Sequence, residues 1–178
     1  TLPGISARIS DTKGKKLSPG EIGVLEISGP NVFTGYWQMQ EKTAEEFRED
    51  GYFITGDMAT MERDGRISIV GRLKDLVISG GYNVYPKEIE LIIDKLFGVK
   101  ESTVIGVPHP DFGEAVVAVV VEDDGENISE ASIKSQLVNT LAKFKHPKKI
   151  FYTKALPRNT MGKVQKNLLR EIYAETFK

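Results

Sequence analysis

The chain contains no cysteine and only two histidines, His109 and His146. Without cysteine there is no disulfide, no thiolate nucleophile and no cysteine-ligated zinc. Two imidazoles are too few for a self-contained metal site. Neither a long apolar run nor a signal-peptide pattern occurs, so a soluble, cytoplasmic protein with no membrane partner is the expectation. The net charge is −1, which gives no reason to expect a nucleic-acid partner. A G-x-x-x-x-G-K-[ST] loop is also missing, and with it that type of phosphate cradle. Asn127-Ile128-Ser129 matches a glycosylation triplet, which without a secretory signal reads as chance.

What is present is ordinary for a globular protein with a real core: 178 residues, 40% hydrophobic and 28% charged. That length suits one large domain or two small ones. Thr1-Leu2-Pro3-Gly4 has no initiator methionine and runs straight into strand-like alternation, as in the middle of a longer chain. ISARISD (5–11) and IGVLEIS (22–28) alternate as half-buried strands do. TKGKKLSPGE between them is turn chemistry. Tyr36 and Trp37 are expected to pack, since large aromatics bury much area. Residues 40–49 favour a helix around Phe47. Phe53-Ile54 predicts a short strand, Thr55-Gly56-Asp57 a turn, 58–61 a strand, Arg63-Asp64-Gly65 a hairpin and 67–70 its return. Residues 1–70 are therefore expected to be β-rich, with about five or six short strands.

GRLKDLVISGGYNVYPKEIE, residues 71–90, changes the grammar. It reads as a charged joint, a strand, a Gly80-Gly81 turn, a second strand, then a helix opened by Pro86. Glu88 and Glu90 suit the positive end of that helix. Ile89, Ile92, Ile93 and Leu96 share one helical face. Residues 102–107 read as a strand, and AVVAVVV (115–121) as a strand buried on both faces, although a short helix has the same period. Ser129 caps a helix expected to run through Lys143, with Ile133, Leu137, Leu141 and Phe144 inward. A strand at 149–153 and an amphipathic helix at 165–177 complete a β-α-β-β-α-β-α order, a small α+β domain.

Each candidate site residue has two readings. Asp57 is either a turn former bonding its own backbone or an acceptor for two ribose hydroxyls. Arg72 is either a surface charge or a forked donor to ribose or phosphate. Lys163, projected after Gly162 in LPRNTMGK, is either solvated or a point charge stabilising negative charge developing between a carboxylate and a phosphate.

FITGD, GRLKDLVISGGYNVYPKEIE and PRNTMGKVQK, in that order and at these separations, resemble the second half of the adenylate-forming superfamily. This superfamily comprises acyl-CoA synthetases, luciferases and peptide-synthetase adenylation domains. The resemblance spans essentially the whole chain, and GGYNVYPKEIE, FGE and AKFKHPKK bring it nearest to the malonyl-CoA synthetases. It implies an α+β fold: residues 1–70 a β-rich subdomain of a large N-terminal domain, 71–75 a hinge, and 76–178 a mobile C-terminal domain. By position, Asp57 is implied to hold the ATP or AMP ribose, with Arg72 and Asn83 also at the nucleotide. Lys74 matches the hinge, of the Lys rather than the Asp type. Gly80 and Gly81 match the CoA-binding loop, and Lys163 the catalytic adenylation lysine. Gln165 departs from the Arg of many relatives, which puts a cationic role there in doubt.

The activity implied is ATP-dependent ligation of a small carboxylic acid to CoA through an acyl-adenylate. The Mg²⁺ ligands, phosphate loop, adenine site and acyl pocket lie in the missing N-terminal domain, so this chain alone is expected to be inactive. The alternatives are an adenylation domain loading a carrier protein, and a non-catalytic nucleotide- or protein-binding fragment.

Overall fold

Two sheets divide the molecule, described here for residues 3–178 of a computed structural model. The reading of Thr1-Leu2 as a mid-chain start lies outside the described residues. The chain splits into two compact units between Lys74 and Asp75.

In the first unit β1 (Ser6–Ser10), β2 (Gly23–Ser28), β3 (Phe53–Met61) and β4 (Ile67–Arg72) form an antiparallel sheet in that order. A short helix, α1 (Gln40–Glu46), precedes β3. Among the described residues there are four strands here, fewer than the five or six expected, because Thr55-Gly56-Asp57 does not turn the chain. β3 runs through it, pairing Ile54 with Glu26 and Met58 with Val24 on one side, and Asp57 with Arg72 on the other. Gly56 takes a positive φ of 72° that only glycine adopts cheaply. The register shifts between Val24 and Glu26 and between Met58 and Ala59, so the kink is a bulge absorbed within the ladder. α1 stops at Glu46 because Phe47 turns extended (φ −122°, ψ 139°) and bridges to Phe53.

Phe33 packs edge-on against Tyr36, Phe47 and Phe53, and Phe47 lies tilted against Phe53, with centroids 5.1–5.6 Å apart. Trp37 does not join them: it is 87% exposed, contrary to the packing expected for both aromatics. It lies in a turn with Gln38 at φ 55°, and only Tyr36 faces the cluster. Under the sheet Glu26 is fully buried, accepting from Ser10 (2.6 Å), Arg8 (2.7 Å) and Arg48 (2.8 Å). Burial pushes its carboxyl up, but those three donors outweigh it and hold it below the usual carboxylate range.

The second unit opens with a hairpin, β5 (Val77–Ser79) and β6 (Tyr82–Val84). Next come α2 (Pro86–Ile93), β7 (Val99–His109), β8 (Gly113–Glu122), α3 (Glu130–Val138), β9 (Lys149–Tyr152) and α4 (Lys166–Ile172). This is the expected order with the hairpin in front, an α+β fold. β8 is the central strand: β7 lies along one edge, while β5 at Gly113 and the parallel β9 at Val117–Val120 share the other. Its side chains alternate between two cores. Val116, Ala118 and Val120 meet Ile89, Ile93, Ile133 and Leu137 of α2 and α3. Val117, Val119 and Val121 meet Leu156 and Leu169 on the other face. The near-continuous valine run is therefore a strand buried on both faces.

α3 begins as expected, with Ser129 Oγ accepting from the Ser132 N–H (3.1 Å). It ends at Val138 rather than Lys143. Thr140 Oγ1 bonds back to the carbonyl of Gln136 (2.8 Å), and Ala142 is extended before a separate 3-10 turn at Lys143–Lys145. Leu141 and Phe144 still reach the core, half-buried. α4 likewise stops at Ile172, short of Phe177. Among the described residues no helix is long and apolar enough to cross a membrane.

Candidate functional site

In the first unit, pairing of β3 with β4 sets Asp57 directly across from Arg72. Arg72 Nε lies 2.9 Å from Asp57 Oδ1. Thr55 Oγ1 accepts from the Asp57 N–H (3.1 Å) and donates to the Leu25 carbonyl (2.8 Å), so the Asp57 backbone is held from both sides. Asp57 is partly exposed and Arg72 more so, leaving carboxylate and guanidinium edges open to a polar ligand. A cleft of about 740 Å³ adjoins Arg72, lined also by Tyr36, Glu46, Thr55, Gly56 and Lys74; Asp57 is not part of its lining. Its size suits a small molecule. Lys74 is exposed, in the middle of a 3-10 turn at Leu73–Asp75.

The second unit holds the remaining candidates at two ends of one sheet. Gly80 (φ 57°) and Gly81 (φ 81°) make the two-residue turn between β5 and β6. Consecutive positive φ values define the hairpin turn that glycine favours. The Gly80 N–H donates to the Phe112 carbonyl (2.9 Å), which ties the turn to the start of β8. A Cβ added at Gly81 would meet nothing within 4 Å, so the space beside it is open. Asn83, exposed on β6, pairs across the hairpin with Ile78. Beside it the Tyr85 phenol is raised above its ordinary range by burial, against a lowering hydrogen bond from Asn83.

Lys163 lies in the exposed loop between β9 and α4, after Gly162 (φ 76°). Arg158 of that loop pairs with Glu101 near one end of β7. His109, at the other end of β7, pairs with Gly113, which in turn pairs with Ser79 beside Gly80. At about 3.3 Å per residue, Glu101 and His109 are separated by roughly 26 Å along the strand. Asp57 and Arg72 are thus brought together, whereas Lys163 and the Gly80-Gly81 turn are held apart. Gln165, without a side-chain cap bond, precedes α4, and its N–H donates to the Pro157 carbonyl (2.8 Å).

Sequence reasoning missed the most buried charge of this unit. Glu90, 6% exposed, accepts from the Val104 N–H (2.9 Å) and from Lys166 Nζ (2.6 Å), which also donates to the Val104 carbonyl (3.2 Å). Glu90 thereby ties α2 and β7 to the start of α4. Its place on the inward face between Ile89 and Ile93 was the available signal. Among the described residues no group of three His, Asp or Glu side chains could hold a metal ion. The described residues do not fit a resident Mg²⁺.

The match to known proteins follows this layout. Residues 88–163 match the AMP-binding enzyme C-terminal domain. In sequence and fold the chain is similar to the C-terminal portion of AMP-binding, adenylate-forming enzymes. The chain is 44% identical over 163 residues to a feruloyl-CoA synthase of an Amycolatopsis species, covering 92% of this chain and 33% of that protein. It is 38% identical over 170 residues to a long-chain-fatty-acid–CoA ligase of Salmonella typhimurium, covering 96% and 30%. Among solved structures, ATP-bound MatB from Rhodopseudomonas palustris matches with a TM-score of 0.94 and 59% identity, over 100% of this chain and 36% of that one. The apo form of MatB matches over the same shares with a TM-score of 0.73 and 60% identity. The chain thus spans about a third of the length of the curated relatives it matches.

Proposed function

We propose that the chain is the C-terminal part of an AMP-forming acid–CoA ligase acting on malonate, using ATP and CoA. The observation that carries this reading is the separation of Lys163 from the Gly80-Gly81 turn at opposite ends of one sheet. A unit built this way cannot bring both to a reacting carboxyl at once, so it serves two chemical steps in turn.

In the first step the carboxylate oxygen attacks the α-phosphorus of MgATP, and pyrophosphate leaves. Lys163 Nζ supplies positive charge between the two anionic groups, an electrostatic role in which no proton moves. Asp57 accepts from the ribose hydroxyls, Arg72 orients that carboxylate and donates to the nucleotide, and Asn83 adds a polar contact. In the second step the CoA thiol attacks the acyl carbonyl and AMP leaves. Gly80 and Gly81, which present no side chain, give the pantetheine arm room beside them. Between steps the second unit turns about Lys74, a hinge motion that gates the reaction.

Malonate as the acid is supported by the motif resemblance to malonyl-CoA synthetases and by 59% identity to MatB. A conformational change is supported by the two MatB structures, which match this chain at nearly one identity but with TM-scores of 0.94 and 0.73. The test is made on the full-length protein containing this chain. Malonate, ATP and CoA should yield malonyl-CoA, AMP and pyrophosphate in equal amounts. Release of ADP and phosphate, or failure of CoA to accept the acyl group, would refute the reading.

A further inference from the structure

The loop that carries Lys163 is exposed, yet its backbone is fixed on both sides of that residue. The chain reverses over 157–165: the Asn159 N–H donates to the Lys163 carbonyl (2.9 Å), and the Gly162 N–H to the Asn159 carbonyl (2.9 Å). Inside the reversal, Asn159 Oδ1 accepts from the N–H of Met161 (3.1 Å) and from the N–H of Lys163 itself (2.9 Å). Arg158 Nη1 donates to the Gly162 carbonyl (2.7 Å), while its Nη2 pairs with Glu101 of β7. The peptide group before Lys163 is thus bonded to two side chains, one of which is anchored on the sheet, and the Lys163 carbonyl to the Asn159 backbone. Met161 is 72% exposed and Gly162 has a positive φ, so apolar packing does not hold this turn.

The Lys163 side chain is exposed, so its reach is set by its backbone. A lysine acting as a point charge is effective only where the charge develops, and a misplacement of about 1 Å can cost as much as a hundredfold in rate. Among the described residues Asn159 is the one side chain that bonds the Lys163 peptide N–H directly. Its carboxamide reaches the N–H groups two and four residues on, a local bonding pattern typical of Asn and Asp.

We propose that Asn159 is the positioning residue for Lys163, holding the lysine backbone so that Nζ arrives between carboxylate and phosphate. The inference rests on the adenylation role proposed above for Lys163. Asn159 itself touches neither substrate.

The test combines kinetics of the full-length ligase with hydrogen exchange of the 178-residue chain. Asn159→Ala should lower kcat for pyrophosphate release by about tenfold, with KM for ATP changed less than about twofold, as misplacement without loss of binding requires. In a Lys163→Ala background the same change should cost nothing further, because Asn159 acts through Lys163. In the chain alone, the amides of Met161 and Lys163 should lose protection in Asn159→Ala and regain it in Asn159→Asp, which keeps the acceptor. A crippled Lys163→Ala enzyme beside an unaffected Asn159→Ala enzyme would overturn the inference alone, as would equal losses with and without Lys163. An unaffected Lys163→Ala enzyme would overturn the ligase reading and the inference with it.

Discussion

Gly81 and Lys163 each lend themselves to a substitution that reads one half of the proposed reaction. In the full-length protein, Lys163→Ala should slow adenylate formation by about a hundredfold or more, the scale for losing a charge-stabilising group. Attack of CoA on synthetic acyl-adenylate should be largely spared. Gly81→Leu should do the reverse, because its side chain enters the open space beside the turn. At φ 81° that leucine is also strained by about 1–2 kcal/mol, which thermal melting would register separately. Equal slowing of both steps by either variant would refute the assignment. Glu26 supplies a pH test in the first unit. Its folded pKa is lowered, so its contribution to stability is complete above the ordinary carboxylate range and is lost as pH falls through the folded value. Glu26→Gln should therefore cost most near neutrality, and the gap from wild type in urea should narrow as pH falls below the ordinary carboxylate range.

At the scale of elements, the ion pair between Glu90 of α2 and Lys166 of α4 joins a helix on one face of the sheet to a helix on the other. Removing one partner strands a largely buried charge. Glu90→Leu should destabilise the second unit by about 3 kcal/mol, whereas Glu90→Leu with Lys166→Met should recover much of that loss. Urea unfolding of the four members of this cycle measures the coupling. If the double variant lost the sum of the two single losses, the pair would contribute nothing beyond its separate side chains.

For the whole molecule, the proposed motion turns on the 3-10 segment around Lys74. Lys74→Pro fixes φ there and restricts Leu73 before it. Each half-reaction, assayed alone, should proceed near the wild-type rate in the full-length protein, while overall turnover falls by about tenfold if passage between the steps limits the rate. Unchanged turnover would place the hinge elsewhere. The 178-residue chain by itself should form no thioester from malonate, ATP and CoA, and a positive thioester assay would contradict that.

The sequence by itself determined the elements whose cause is local. Asp64-Gly65 and Gly80-Gly81 had to turn and Ser129 had to cap, while the valine run between turn signals read as a buried strand or a short helix until the two cores of the sheet decided for the strand. The order of the motifs carried the family and the candidate residues. Tertiary structure alone decided the rest. Thr55-Gly56-Asp57 has turn chemistry, but ladder bonds to β2 and β4 on both sides kept it within a strand. Trp37 has the composition of a core residue, yet the turn at Gln38 leaves only Tyr36 facing the aromatic cluster. Glu90 was readable as a charge suited to a helix start, but its partner lies 76 residues away on α4, and no periodicity encodes such a distance. Local bonding rules act over a few residues, whereas the ion pairs and strand edges that fix these positions form only when distant segments meet.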